Sequence, residues 1–276
     1  MKRALSLAAL TVLELSPPEM VGCAADAGYS HVGLRLLPAT DNEPTWPLIG
    51  DTPMVREIEH RLADRGLHAL DIEIFRLRPD TVVTGYLPAL ETGARLGARH
   101  VLVAGNDPDE ARLSERFAAL CALGAPLGLT MDLEPMPWTD VKTLQQAARI
   151  AAAAGAPNAG VLIDPIHFDR GGNVAADIAA VPSPRLHYAQ LCDAPAERPH
   201  DVPTLLRQAR AERLMPGDGG LDLVGILRAL PATLPLALEV PMQTLAKTVP
   251  AVERAKRIRA KTEALLAMLG SPSLTR

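Results

Sequence analysis

The chain has 276 residues, of which 48% are hydrophobic, 22% charged and only 3% aromatic, with a formal net charge of −4. That is enough apolar material for a large core, while neither charge sign dominates as a nucleic-acid or membrane surface would need, and few aromatics remain to stack bases. Cys23, Cys121 and Cys192 are too widely spaced and too few for a disulfide framework, which suits a reducing cytoplasm.

Met1-Lys2-Arg3 followed by ALSLAALTVL resembles the charged and apolar parts of a signal peptide. No small-x-small cleavage site follows. Glu14 and Ser16-Pro17-Pro18 read instead as a strand handing over to a helix with Pro in its first turn. Residues 4–10 are therefore expected as the first strand and 17–28 as the first helix. A second strand over 30–37 leads into a loop over 38–53 containing Pro, Asp and Trp, long enough for a lid. A helix over 54–65 stops at Gly66. The third strand (67–75), a helix (80–97), the fourth strand (100–104) and a helix (107–123) follow. The fifth strand (127–134) precedes a helix over 140–155 with Asp140 as its cap. The sixth, seventh and eighth strands are expected at 160–164, 186–191 and 234–240. Helices near 174–180, 202–211 and 221–230 lie among them, and a long last helix spans 244–269 before a frayed tail, 270–276. No run reaches the roughly 18 apolar residues of a membrane span.

Eight strands interleaved with helices predict a single-domain (β/α)8 TIM barrel over residues 1–276, an α/β fold. The runner-up, an open doubly wound sheet, would place a Gly-rich phosphate turn after the first strand, and residues 10–16 contain no glycine.

Four polar residues fall where apolar runs give out: Glu134 in GLTMDLEPMPW, Asp164 in GVLIDPIHF, Gln190 in RLHYAQLCDAP and Glu239 in LPLALEVPM. Buried carboxylates are costly unless paired or metal-bound. In a parallel barrel all four reach the same mouth, where barrel enzymes do their chemistry. Oxygen donors of this kind suit Mg²⁺ or Mn²⁺ better than Zn²⁺. Each taken alone reads as an ordinary cap or loop residue; in register they read as a metal site.

On these residues the chain resembles the xylose isomerase-like barrels, in particular the sugar phosphate isomerase/epimerase group, which includes ketose 3-epimerases, hydroxypyruvate isomerases and inosose dehydratases. The resemblance extends over nearly the whole chain and is strongest from Glu134 to Met242. It implies one divalent metal held by Glu134, Asp164, Gln190 and Glu239. His167, in Asp164-Pro165-Ile166-His167, and Arg198, after Gln190-Leu191-Cys192-Asp193, would contact substrate, and Pro216-Gly217-Asp218-Gly219 matches the family's turn. It also implies chemistry through an enediolate, with Glu134 and Glu239 as the catalytic acid/base pair on a small sugar or hydroxy-keto acid, and a possible homodimer. A metal-dependent dehydratase is the alternative, and a binding protein that retains the metal a further one. A related barrel that cuts abasic DNA needs three zinc ions and several His ligands; this chain has too few at strand ends and no basic face.

Other residues stay open at this level. Glu73 and Arg76 are expected to pair with each other, with Arg76 alternatively reaching a substrate anion. Trp46 and Trp138 read equally as a sugar-stacking wall or loop packing. Cys192 reads as packing, His187 as structural, and His31, His60, His68, His100 and His200 as structural or surface.

Overall fold

Helix starts in this chain are set by short-range chemistry. In a computed structural model that describes residues 3–270, Ser16 and Glu19 form a capping box with Pro17 in the first turn of the first helix, and Thr52 accepts from Val55 N to start the second. Gly66, at φ +60°, ends that second helix in the left-handed conformation that glycine adopts without strain.

The elements run β1 (Leu5–Leu7), α1 (Pro17–Asp26), β2 (His31–Arg35), α2 (Pro53–Arg65), β3 (His68–Leu77), α3 (Leu87–Arg95), β4 (His100–Gly105), α4 (Glu110–Gly124) and β5 (Thr130–Glu134). They continue with α5 (Leu144–Ala153), β6 (Ala159–Val161), α6 (Pro165–Arg170), β7 (Ala189–Leu191), α7 (Val202–Ala211), α8 (Leu223–Ala229), β8 (Leu236–Leu238), α9 (Gln243–Ala246) and α10 (Ala251–Gly270). The eight strands are parallel in the order β6-β5-β4-β3-β2-β1-β8-β7. A parallel bridge between Ile163 and Ala189, with Gln190 N donating to Ile163 O at 2.9 Å, joins the two ends. The (β/α)8 expectation holds; the first strand falls within the 4–10 run but is confined to Leu5–Leu7, and Ala9–Val12 turns into a 3₁₀ helix.

The principal core lies between strands and helices, and a smaller buried cluster, Ala8, Leu70, Leu102, Leu162, Tyr188 and Ala237, collects residues from six strand segments. Asp132 is buried on β5, where it accepts from Thr130 Oγ1 at 2.7 Å and meets His187 Nδ1 at 2.6 Å. His100 stacks on Tyr188, with ring centroids 5.0 Å apart. These groups stand at strand starts, the face of such a barrel associated with stability, so His100 and His187 are structural as expected.

Several expectations need correction. The 80–97 helix is a 3₁₀ turn, Val83–Tyr86, followed by α3, because Pro88 favours a fresh helix start. α5 begins later than Asp140 and is capped by Thr143, whose side chain accepts from Gln146 N. The 174–180 helix is 3₁₀. The last helix is broken into α9 and α10 just before Pro250, since the residue preceding a proline avoids helical geometry. Residues 271–276 of the tail lie outside the described residues.

The 38–53 loop is irregular and is tied down at several points: Leu48 is buried in the core, Gly50 N donates to Thr92 Oγ1 at 2.9 Å, and Asp51 Oδ1 pairs with Arg95 Nη1 at 2.8 Å. Glu43 accepts from Arg35 Nη1 at 3.0 Å and from Ala39 N at 2.9 Å.

Candidate active site

Glu134 ends β5, Gln190 lies within β7, and Glu239 follows β8 directly. Asp164 follows β6 and caps α6, its Oδ1 accepting from Ile166 N at 3.0 Å. That capping bond aims the second oxygen inward. These four and His167 are brought together, and none is more than 4% exposed.

The centre of the group is held by a residue that sequence reading did not single out. Arg213 is 2% exposed, and its Nη1 meets Asp164 Oδ2 at 2.5 Å while Nη2 meets Glu239 Oε2 at 2.8 Å. Nη1 also donates to Glu239 O at 3.1 Å and lies 3.4 Å from Cys192 Sγ. Cys192 therefore packs directly beneath the site, its sulfur also 3.5 Å from Asp164 Oδ1. Arg213 gets there because its chain segment is tied on both sides. Asp193 and Leu214 exchange backbone hydrogen bonds at 2.9 Å, and Arg213 N donates to Pro241 O at 2.9 Å. The Gln-x-x-Asp and Pro-Gly-x-Gly motifs are one device. The Asp193 carboxylate accepts from the backbone N–H groups of Ala194 (2.8 Å), Gly217 (3.0 Å), Gly219 (2.9 Å) and Leu221 (3.2 Å). Gly217 sits at φ +89°, and a Cβ on Gly219 would fall 2.3 Å from Ala194 O.

The charges are uneven. Burial, with Asp164 and Glu239 nearby, raises Glu134 well above the usual carboxylate range. Burial lifts Glu239 to about 7, against the pull of Arg213. Burial also works against ionisation of Asp164, but Arg213, His167 and its hydrogen bonds hold it below the ordinary value. Burial depresses His167 to about 4, so its ring is neutral at pH 7.

The residues fit a cation. Ligand atoms of Glu134, Asp164 and His167 lie within 4.8 Å of one another. Glu134 Oε1 and Gln190 Oε1 are buried without a hydrogen-bond partner, an arrangement that is costly unless something electropositive meets them. Gln190 Nε2 donates to Glu239 Oε1 at 3.0 Å, which leaves its carbonyl oxygen free.

The remaining expectations divide. Arg198 is not brought into the cluster: its side chain is half exposed and pairs with Asp169 at 3.1 Å. Glu73 does not pair with Arg76. The β2–β3 register sets Glu73 against Arg35, whose Nε donates to it at 2.9 Å, and Arg76 donates to Asn106 Oδ1 at 3.0 Å. Trp138 stands edge-on to His167 with centroids 4.8 Å apart, whereas Trp46 does not line the site. A narrow cavity of about 40 Å³ opens above the group, walled by Arg35, Arg76, Glu134, Trp138, His167, Arg210, Arg213 and Glu239. A groove of about 410 Å³ adjoins it through Leu10, Glu43 and Arg210.

Among known proteins, the chain is 30% identical over 154 residues to a 3-dehydroshikimate dehydratase of Pseudomonas aeruginosa, a match covering 52% of this chain. The match spans 24% of that relative, about a quarter of its length. Among solved structures it superposes on an IOLI protein with a bound zinc atom, with a TM-score of 0.79 at 18% identity, covering 99% of this chain and 100% of the other. It also superposes on an L-ribulose 3-epimerase, with a TM-score of 0.70 at 18% identity and 100% coverage of both. At such identities the structural matches establish the fold. A family model described as xylose isomerase-like TIM barrel matches residues 22–265, and the chain belongs to that family.

Proposed function

We propose that the chain is a divalent-metal-dependent isomerase or epimerase that removes a proton beside the carbonyl of a small sugar or hydroxy-keto acid. One observation carries the reading: two buried carboxylates with raised proton affinity, Glu134 and Glu239, line one cavity beside a group of candidate ligand atoms. Glu134, Asp164, Gln190 and Glu239 would hold Mg²⁺ or Mn²⁺, with His167 close enough to join them. A bound divalent ion makes a carbon acid next to a carbonyl more acidic. The rest of the work falls to the protein. Glu239, with its affinity for protons near neutrality, takes a proton from the substrate carbon. Glu134 returns one to the opposite face or to the neighbouring carbon. Neutral His167 donates a hydrogen bond to the oxygen on which charge develops. Arg213, rather than Arg198, supplies the guanidinium inside the site. Three buried, unpaired cysteines support a cytoplasmic setting, and among the described residues no helix is long and apolar enough to cross a membrane.

The dehydratase relative favours a second reading. After the same proton removal, a β-hydroxyl leaves as water, taking its proton from a carboxyl of the Glu134–Glu239 pair, whose proton affinities are raised, while neutral His167 donates a hydrogen bond to the leaving oxygen. The two readings separate in D₂O. Metal-loaded protein is incubated with ketoses, hydroxy-keto acids and 3-dehydroshikimate, and mass spectrometry follows deuterium uptake and water loss. Deuterium gain at constant heavy-atom composition supports the isomerase; water loss from any efficiently used substrate selects the lyase. Full activity after chelation sinks both. Glu134→Gln and Glu239→Gln should keep the far-ultraviolet circular dichroism spectrum while losing metal and turnover.

A further inference from the structure

Four guanidinium groups face the cavity, those of Arg35, Arg76, Arg210 and Arg213. Two are matched by acids. Arg213 holds Asp164 and Glu239, and Arg35 holds Glu73 at 2.9 Å and Glu43 at 3.0 Å. The other two have no carboxylate within ion-pair distance among the described residues. Arg76 is 9% exposed, and its Nη1 donates to a neutral amide oxygen, that of Asn106. Arg210, half-buried on α7, lies over the Trp138 ring with its guanidinium carbon 5.6 Å from the centroid. Glu43 lines the same cavity, but Arg35 Nη1 occupies its Oε1 and Ala39 N its Oε2. Glu134 belongs to the cluster of candidate metal ligands.

A buried or half-buried guanidinium is stable when an anion meets it. Two of them on one cavity wall, both without an acid, describe a place for an oxyanion brought in from outside. We propose that Arg76 and Arg210 bind a carboxylate or phosphate group of the substrate, so that the enzyme acts on an acidic hydroxy-keto compound rather than a neutral ketose. This rests on the reading of the cavity as the substrate site. The reacting carbon would lie between Glu134 and Glu239, with the anionic end against Trp138 and the two arginines.

The test is calorimetric binding at low ionic strength to the metal-loaded protein. D-fructuronate and D-fructose 6-phosphate are compared with D-fructose, and shikimate with methyl shikimate. The acidic members are expected to bind at least about tenfold tighter than their neutral partners, with the preference shrinking as salt is added. Whichever of fructuronate and fructose 6-phosphate shows the larger preference identifies the anion. Arg76→Gln and Arg210→Gln should each reduce the acid-to-neutral ratio about tenfold. Arg210 lies on a half-buried helix face, so its variant serves if the Arg76 variant does not fold. Equal binding of acidic and neutral members, failure of both to bind, or an unchanged ratio in the folded variants overturns the proposal. Metal-dependent deuterium exchange into D-fructose without acid preference would overturn it while leaving the isomerase reading intact. An arginine-dependent acid preference with no exchange on any probe would do the reverse.

Discussion

At the scale of single residues, Arg213 governs the site. Its guanidinium bridges Asp164 and Glu239, two of the four candidate metal ligands, within 2.8 Å. Removing one partner of a buried charge network leaves the rest uncompensated, typically at a cost of about 3–5 kcal/mol. Arg213→Gln is therefore expected to lower the metal-free melting temperature and to regain more of it than wild type does when Mn²⁺ is added, because freed carboxylates bind the ion better. Equal Mn²⁺-induced shifts in the two proteins, read by differential scanning calorimetry, would show that Arg213 does not hold the ligands. Protonation gives a second test at this scale. Glu239 is poised at about 7 and Glu134 is raised well above its ordinary value, both chiefly by burial. A carboxylate must lose its proton to ligate, so protons compete with metal increasingly as pH falls below 7. The apparent Mn²⁺ dissociation constant is expected to rise between pH 8 and 6, by up to about tenfold per pH unit for each proton displaced. Glu239→Gln should flatten that slope in titration calorimetry.

At the scale of elements, the site depends on loops that short strands leave in place. β7 and β8 contribute three residues each to the sheet, so the chain beyond them needs other anchors, and Asp193 is the principal one. By accepting four backbone N–H groups it ties the strand end to the Gly217–Gly219 turn and thereby sets the entry of Arg213. Asp193→Ala is expected to lose about 2–4 kcal/mol of stability and to speed hydrogen exchange selectively at Gly217, Gly219 and Leu221. Uniform exchange rates across the barrel would instead indicate a purely global effect. The breaks in predicted helices follow the same short-range logic. Pro88 and Pro250 impose boundaries that an apolar periodicity alone runs through, and Thr143 takes the cap expected of Asp140 because the chain from Met136 to Val141 is occupied by a turn around the Thr139 hydroxyl. The 38–53 loop lends Ala39 and Glu43 to the cavity wall, where Glu43 fastens it to the end of β2, while its far end is held on α3 through Thr92 and Arg95.

At the scale of the whole molecule, the two ends of the barrel divide the labour: strand ends carry the candidate chemistry, and strand starts carry a buried polar network around Asp132. His100, at the start of β4, is depressed to about 4, chiefly by burial. A folded-state value below the unfolded one, about 6.5, means that the neutral ring's contribution is present above pH 6.5 and is lost as pH falls towards 4. His187, raised overall through its bond to Asp132 although burial opposes this, acts with the opposite sign: its contribution is full at low pH and fades as pH rises through its folded value. The buried acids Glu134 and Glu239 also favour the folded state as pH falls, so the total profile is mixed. The clean observable is the stability difference between wild type and His100→Asn, measured by urea unfolding. It should shrink by a few kcal/mol, to order of magnitude, between pH 6.5 and 4. A constant difference would mean that His100 titrates normally in the fold.

The sequence by itself determined the alternation of strands and helices, the eight-stranded parallel barrel, and the placement of Glu134, Asp164, Gln190 and Glu239 at one mouth, whereas His167 is reached through the family resemblance. Those features follow from short-range causes: apolar runs of strand length, proline and glycine punctuation, and capping residues, which need no knowledge of distant contacts. Only the tertiary structure decided which arginine enters the site, which cation Glu73 meets, and which cations are left without a partner. Arg213 lies 49 positions from Asp164 in the chain, and Arg35 lies 38 from Glu73. No local pattern encodes such pairings. They are selected by strand register and by where a loop returns to the barrel, and a buried charge takes the partner that geometry offers.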